Sequence, residues 1–202
     1  MLRRQLLQAF PLVFARGGGA APLAQFDEVM RTVIERQQVP GGSLSIAKDG
    51  RLVYARGFGL ASVEGRRRVE PTTMFGLASV SKAITAIAAL KLVDEGRLNL
   101  EDRAYEILNN IRPLPGQRLD PRTLRITVRQ LLNHSSGYTE QPDKEKVSRE
   151  LGIPRPKLRE YEVIQSFRGH PLGFDPGTKQ VYSNFGFVLA GAVVERIMDV
   201  PY

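Results

Sequence analysis

The sequence predicts an α+β fold in which a small antiparallel sheet precedes a helical lobe. Three observations carry this: an amphipathic pattern over Phe26–Gln38, two strand-like runs meeting at Asp49-Gly50, and helical patterns punctuated by Pro and Gly through the remainder. At 202 residues the chain is long enough for a substantial core in one domain, or in one domain with two lobes.

Residues 1–25 read as an export signal or a disordered tail. Arg3-Arg4-Gln5-Leu6-Leu7 is similar to a twin-arginine signal, Phe10 to Ala15 form a short apolar core, and the small residues Gly17 to Ala21 mark a cleavage region. The location this implies is periplasmic or secreted. No run approaches the length of a membrane span.

From Phe26, apolar residues recur at helical spacing through Val29, Met30, Val33 and Ile34, and Pro40-Gly41-Gly42 ends that helix. Strands follow over Ser43–Lys48 and Arg51–Gly59, joined by Asp49-Gly50, a strong two-residue hairpin signal. Leu60 to Thr73 reads as a polar connector. Met74 to Leu98 then predicts a helix whose body, Ala83–Val93, is broken only by Thr85 and Lys91. It has no wide polar face, so it is expected to be buried, with Gly96 as its stop. Short helices are predicted near Arg103–Leu108 and over Thr127–Asn133, the latter capped by Thr127, and a loop rich in Pro and Gly lies between them. Glu140–Lys157 reads as surface loop or weak helix. Helices are predicted for Arg159–Phe167 and Phe185–Met198, the last entered from Asn184.

Composition excludes several classes of chemistry. With no cysteine there is no disulfide, thiolate metal site, cysteine nucleophile or lipid-bearing cysteine. His134 and His170 are the only histidines, so no metal site is expected and no cofactor is called for. The net charge of +8 is spread along the chain apart from Arg66-Arg67-Arg68. No aromatics interleave with that triplet, which reads as a solvated loop, and nucleic acid is not an expected partner.

The chemistry concentrates at the front of the apolar helix. Ser79 and Lys82 lie three residues apart, on one side of a helical turn. A serine hydroxyl needs a base to take its proton, and a lysine can serve once burial disfavours its ammonium form. The first-turn N–H groups and the positive end of the helix dipole would face an oxyanion. A second S-x-x-K, Ser45 to Lys48, falls in a strand, where that separation puts the two side chains on opposite faces. Tyr182-Ser183-Asn184 is the only Tyr-x-Asn in the chain. Tyr182 could relay a proton as a phenolate, and Asn184 could hold the lysine and a substrate amide. The blander alternative is that Tyr182 packs and Asn184 caps a helix.

Taken together, FGLASVSKAITAIAALKLVDEGRLNLEDR, ITVRQLLNHSSGY and FDPGTKQVYSNFGFVLAGAVVE resemble the serine β-lactamase and penicillin-binding protein superfamily, in its class C, D-aminopeptidase and esterase-like branch. The resemblance covers about Phe26 to Tyr202. It implies a β-lactamase/transpeptidase-like fold and a cofactor-free serine acyl-hydrolase acting on an ester, peptide or β-lactam carbonyl of a small-molecule or peptide substrate. Ser79 would be acylated, with Lys82 its proton partner, Tyr182 a general base and acid, and Asn184 a substrate-binding residue. The Ser79 N–H would be an oxyanion donor, and His134 would be structural. The family's third motif, K-T-G or H-x-G, does not occur in this chain. The expectation is therefore an N-terminal portion of a longer enzyme, residues 26–202, with helix and hairpin present and the C-terminal strands of the sheet missing. The alternative is a non-catalytic binding or interaction module of the same fold. Oligomeric state is left open.

Overall fold

Helix α1 (Ala20–Gln37) begins ahead of the predicted start at Phe26. The computed structural model describes residues 20–201, so the twin-arginine-like leader lies outside the described residues. These residues divide into two units, one ending at Gly76 and one beginning at Leu77.

In the first unit α1 packs on strands β1 (Gly41–Lys48) and β2 (Arg51–Ser62). The face it uses is the expected one only in part: Phe26, Met30 and Ile34 are half-buried. Val29 and Val33 are 57% and 45% exposed, whereas Asp27 is buried. A carboxylate is tolerated there because the Tyr54 hydroxyl and the Arg56 guanidinium, both from β2, donate to it. The Phe26 ring meets Tyr54 at 5.9 Å between centroids. The hairpin runs in the predicted register, Lys48 opposite Arg51, with a bulge at Ile46/Ala47. Asp49 and Gly50 both take positive φ (51° and 71°), as a type I′ turn requires. The polar connector is partly ordered into a third strand, β3 (Arg67–Arg68), antiparallel to β2. Two of the three arginines of the triplet are thus backbone-paired. Close approach makes this possible: a Cβ at Gly57 would lie 2.1 Å from the Val69 carbonyl oxygen.

The second unit is helical. A 3₁₀ turn (Ala78–Val80) leads into α2 (Ser81–Asp94), followed by α3 (Ala104–Ile107), α4 (Val128–Leu132), α5 (Lys144–Leu151), α6 (Glu160–Phe167) and α7 (Asn184–Met198). Helix α7 is the central element, in contact with α2, α3, α4 and α6. Its Phe185, Leu189 and Val193 are fully buried among Val128, Leu131, Val163 and Ile164. Phe185 meets Tyr138 edge-on at 4.7 Å. The buried Tyr105 and Tyr138 hydroxyls satisfy each other at 2.8 Å.

Helix α2 ends as predicted. Gly96 (φ 68°) donates to the Val93 carbonyl and Arg97 donates to that of Leu92, the double bond of a Schellman stop. Its expected burial is not observed. Only Thr85, Ala89 and Leu92 are buried, while Ile84, Ile87 and Leu90 are 54%, 66% and 44% exposed. The helix gives one stripe to the core of this unit, the stripe facing α7. The region read as loop or weak helix contains a full helix, α5. Asp143 caps its start and Gly152, in the left-handed conformation, caps its end. Among the described residues no helix is long and apolar enough to cross a membrane.

Candidate active site

Ser79 does not sit inside α2 but on the 3₁₀ turn that precedes it, with Lys82 in the first turn of the helix itself. The residue before the serine, Ala78, is held at φ 45°, a left-handed conformation that costs an L-residue about 1–2 kcal/mol. Tyr182 lies on the segment running into α7, and Asn184 is the first residue of that helix.

These four residues converge, although they come from opposite ends of the unit. Ser79 Oγ lies 2.6 Å from Tyr182 Oη. Lys82 Nζ donates to Ser79 Oγ at 3.2 Å and to Asn184 Oδ1 at 2.7 Å. The ammonium also sits 4.8 Å from the centre of the Tyr182 ring. Both blander alternatives fail. Tyr182 is 50% exposed and packs into no core. The cap of α7 is Ser183, whose Oγ accepts from the Gly186 N–H at 3.1 Å, so the Asn184 amide is left to meet Lys82.

The electrostatics differ from expectation. Ser79 is exposed and Lys82 only half-buried, so the described residues do not form a dry pocket around the lysine. Hydrogen bonding to Lys82, then to Ser79, holds the Tyr182 phenol below its ordinary range. Beside Lys82 a cleft of about 360 Å³ opens between α2 and α7, lined by Lys82, Asn184, Phe187, Gly191 and Ala192. The arrangement can pass a proton from Ser79 to Tyr182 while Lys82 stabilises the phenolate and Asn184 fixes Lys82.

Two neighbours were not in the sequence-derived set. The His134 ring lies 4.7 Å from that of Tyr182 and 5.1 Å from that of Phe187. Its nearness was signalled only by its place in the short segment after α4. Gln141, whose side chain bonds to the backbone at Tyr182 and Asn184, comes from a charged loop with no motif to mark it. The second S-x-x-K lies in β1, as expected of a decoy.

Residues 26–202 match the Beta-lactamase family. The chain belongs to that family. Within it, esterase EstB from Burkholderia gladioli is 33% identical over 188 residues, covering 90% of this chain and 47% of the esterase. Among solved structures, an octameric penicillin-binding protein homologue from Pyrococcus abyssi is 32% identical with a TM-score of 0.68, covering 89% of this chain and 40% of its own. A β-lactamase/D-alanine carboxypeptidase from Pseudomonas syringae is 25% identical with a TM-score of 0.68, covering 90% of this chain and 46% of its own. The fold is thus the β-lactamase-like α+β fold in partial coverage. The chain spans less than half the length of these relatives.

Proposed function

We propose that Ser79 is the nucleophile of a cofactor-free serine acyl-hydrolase that works through an acyl-enzyme. The observation that carries the reading is the continuous hydrogen-bonded path Asn184–Lys82–Ser79–Tyr182. Tyr182, as phenolate, takes the Ser79 proton as Oγ bonds to the substrate carbonyl carbon. The Ser79 N–H receives the oxyanion. As the tetrahedral species collapses, the bond to the leaving group breaks and Tyr182 returns the proton to it. The Tyr182 phenolate so regenerated then takes a proton from water as its oxygen bonds to the acyl carbon, and that proton passes to Ser79 Oγ as the acyl–serine bond breaks and the acid leaves. Lys82 supports the phenolate throughout, and Asn184 orients Lys82 and a substrate amide. An ester or peptide carbonyl is favoured over a dedicated β-lactam: the Burkholderia gladioli relative is an esterase by name, and the Pseudomonas syringae neighbour is named D-alanine carboxypeptidase as well as β-lactamase. The twin-arginine-like leader supports export to the periplasm or beyond.

Hydrolysis of p-nitrophenyl butyrate by the chain and its variants tests the reading. Ser79→Ala is expected to fall to the background rate. Tyr182→Phe is expected to lose roughly a hundredfold or more and the rise in rate that accompanies phenol ionisation. In the parent that rise comes at lower pH than a free tyrosine would give, because the phenol ionises more readily. A Ser79→Ala variant as fast as the parent rejects the proposal. A second reading, a non-catalytic binding module, is favoured by the exposure of Ser79. It predicts that an ester or β-lactam binds with no acyl mass gained.

A further inference from the structure

The segment that carries Tyr182 and Asn184 is held by two side chains from elsewhere in the chain. On one side, the Val181 N–H donates to the His134 carbonyl at 2.9 Å and the Ser183 N–H donates to His134 Nδ1 at 3.1 Å. On the other, Gln141 Nε2 donates to the Tyr182 carbonyl at 3.2 Å and Gln141 Oε1 accepts from the Asn184 N–H at 3.0 Å. All four bonds fall on Val181–Asn184, the stretch with the two residues assigned to proton relay and substrate orientation, and the His134 ring lies tilted against that of Tyr182. We infer that His134 and Gln141 are positioning residues that clamp Tyr182 and Asn184 in register with Ser79 and Lys82. This rests on the reading of Ser79 as nucleophile only for its consequence on rate.

The clamp has a physical logic. An extended segment ahead of a helix has no ladder to hold it, and the first N–H groups of α7 have no intrahelical acceptor. One primary amide can serve a carbonyl and an N–H together, so Gln141 occupies the place of a paired strand. Without it Tyr182 Oη is free to move from its 2.6 Å contact with Ser79, and a misplacement of about 1 Å costs up to about a hundredfold in rate.

His134 adds a condition. Its Nδ1 accepts only when it carries no proton, so the clamp requires the neutral ring protonated on Nε2. Lys82 from α2 is the charged group facing the ring, Tyr182 is the other titratable one, and Phe187 from α7 carries no charge. Burial, then the Lys82 ammonium, hold the imidazole below its usual range. The clamp is therefore closed at neutral pH and opens as pH falls through that lowered value.

The test uses the chain itself, with two readouts. Amide hydrogen exchange at Ser183 and Asn184, with ¹⁵N shifts of the His134 ring, reports the clamp. The rate of Ser79 labelling by a fluorophosphonate, followed against pH, reports its consequence. In the parent at neutral pH, an acceptor-type Nδ1 and protection of both amides are expected. Gln141→Ala is expected to lose protection at Asn184 and to label roughly tenfold to a hundredfold more slowly. His134 occupies φ 63°, where asparagine is the best-tolerated residue after glycine. His134→Asn therefore keeps the fold and an acceptor while removing the titration. It should label faster than His134→Ala and lack the parent's loss of Ser183 protection in acid. Unchanged protection in Gln141→Ala, or a His134→Asn profile that superimposes on the parent in acid, overturns the clamp. Absence of labelling in a parent with protected amides defeats the nucleophile assignment and leaves the clamp standing.

Discussion

Ala78 occupies the left-handed region at φ 45°, immediately before Ser79, and it carries a Cβ that this region penalises. His134, at φ 63°, is a second such residue. Gln38, Asp49, Arg66 and Asp199 share that conformation, but they lie at turns and helix ends rather than beside the serine. Strained backbone of this kind persists where the surrounding structure fixes the direction of a side chain. At Ala78 it turns the chain so that Ser79 leaves the 3₁₀ turn facing Lys82 and Tyr182. Ala78→Gly removes the Cβ penalty at the cost of a more flexible unfolded chain, and a net gain of about 0.5–1 kcal/mol is expected from urea unfolding. A loss of comparable size would show that the alanine is not strained.

Between elements, the 3₁₀ turn Pro121–Arg125 is tied to the loop before Tyr182 through one carboxylate. Asp120 accepts from the Arg122 guanidinium at 2.7 Å, from the Arg122 N–H at 2.9 Å and from the Leu172 N–H at 3.0 Å. Arg122 reaches on to Asp175 at 3.0 Å. The bond to the Arg122 guanidinium, followed by the two backbone N–H donors, holds the Asp120 carboxyl well below the usual carboxylate range. A depressed carboxylate contributes stability that is complete above the unfolded value, near pH 4, and is lost as pH falls toward the folded value. Asp120→Asn is therefore expected to cost about 2 kcal/mol in urea unfolding at pH 7, and the gap from the parent should narrow at pH 3. A gap of equal size at both pH values would mean that the carboxylate charge contributes nothing. Helix α4, which delivers His134, depends on a more local device. The Thr127 N–H donates to the Gln130 side chain at 3.0 Å and the Gln130 N–H donates back to Thr127 Oγ1 at 3.4 Å, a capping box.

Over the whole molecule, what could be read in the sequence was whatever local rules decide. The Asp49-Gly50 hairpin, the Thr127 cap, the Gly96 stop and the α+β class follow from φ preference, capping and periodicity, which need no knowledge of distant neighbours. The pairing of Ser79 with Tyr182, 103 residues later, was reachable only through family resemblance. Three features were out of reach because they depend on the third dimension. Asp27 is buried on α1 because Tyr54 and Arg56 reach it from β2. The apolar body of α2 buries one stripe, since composition does not say how many sides will find a partner. Gln141 matters through what its amide spans, and a glutamine in a charged loop carries no signal of that. The central claim is that the Lys82–Tyr182 pair activates Ser79 and no other serine. Its most direct test is the site of covalent attachment after the chain meets a fluorophosphonate, mapped by tandem mass spectrometry across the tryptic peptides, among them Val69–Lys82 with Ser79 and Ser81 and Gln37–Lys48 with Ser45. A single adduct on Ser79, lost in Ser79→Ala and kept in Ser81→Ala, is the predicted result; an adduct on Ser81 or Ser45, or none at all, contradicts it.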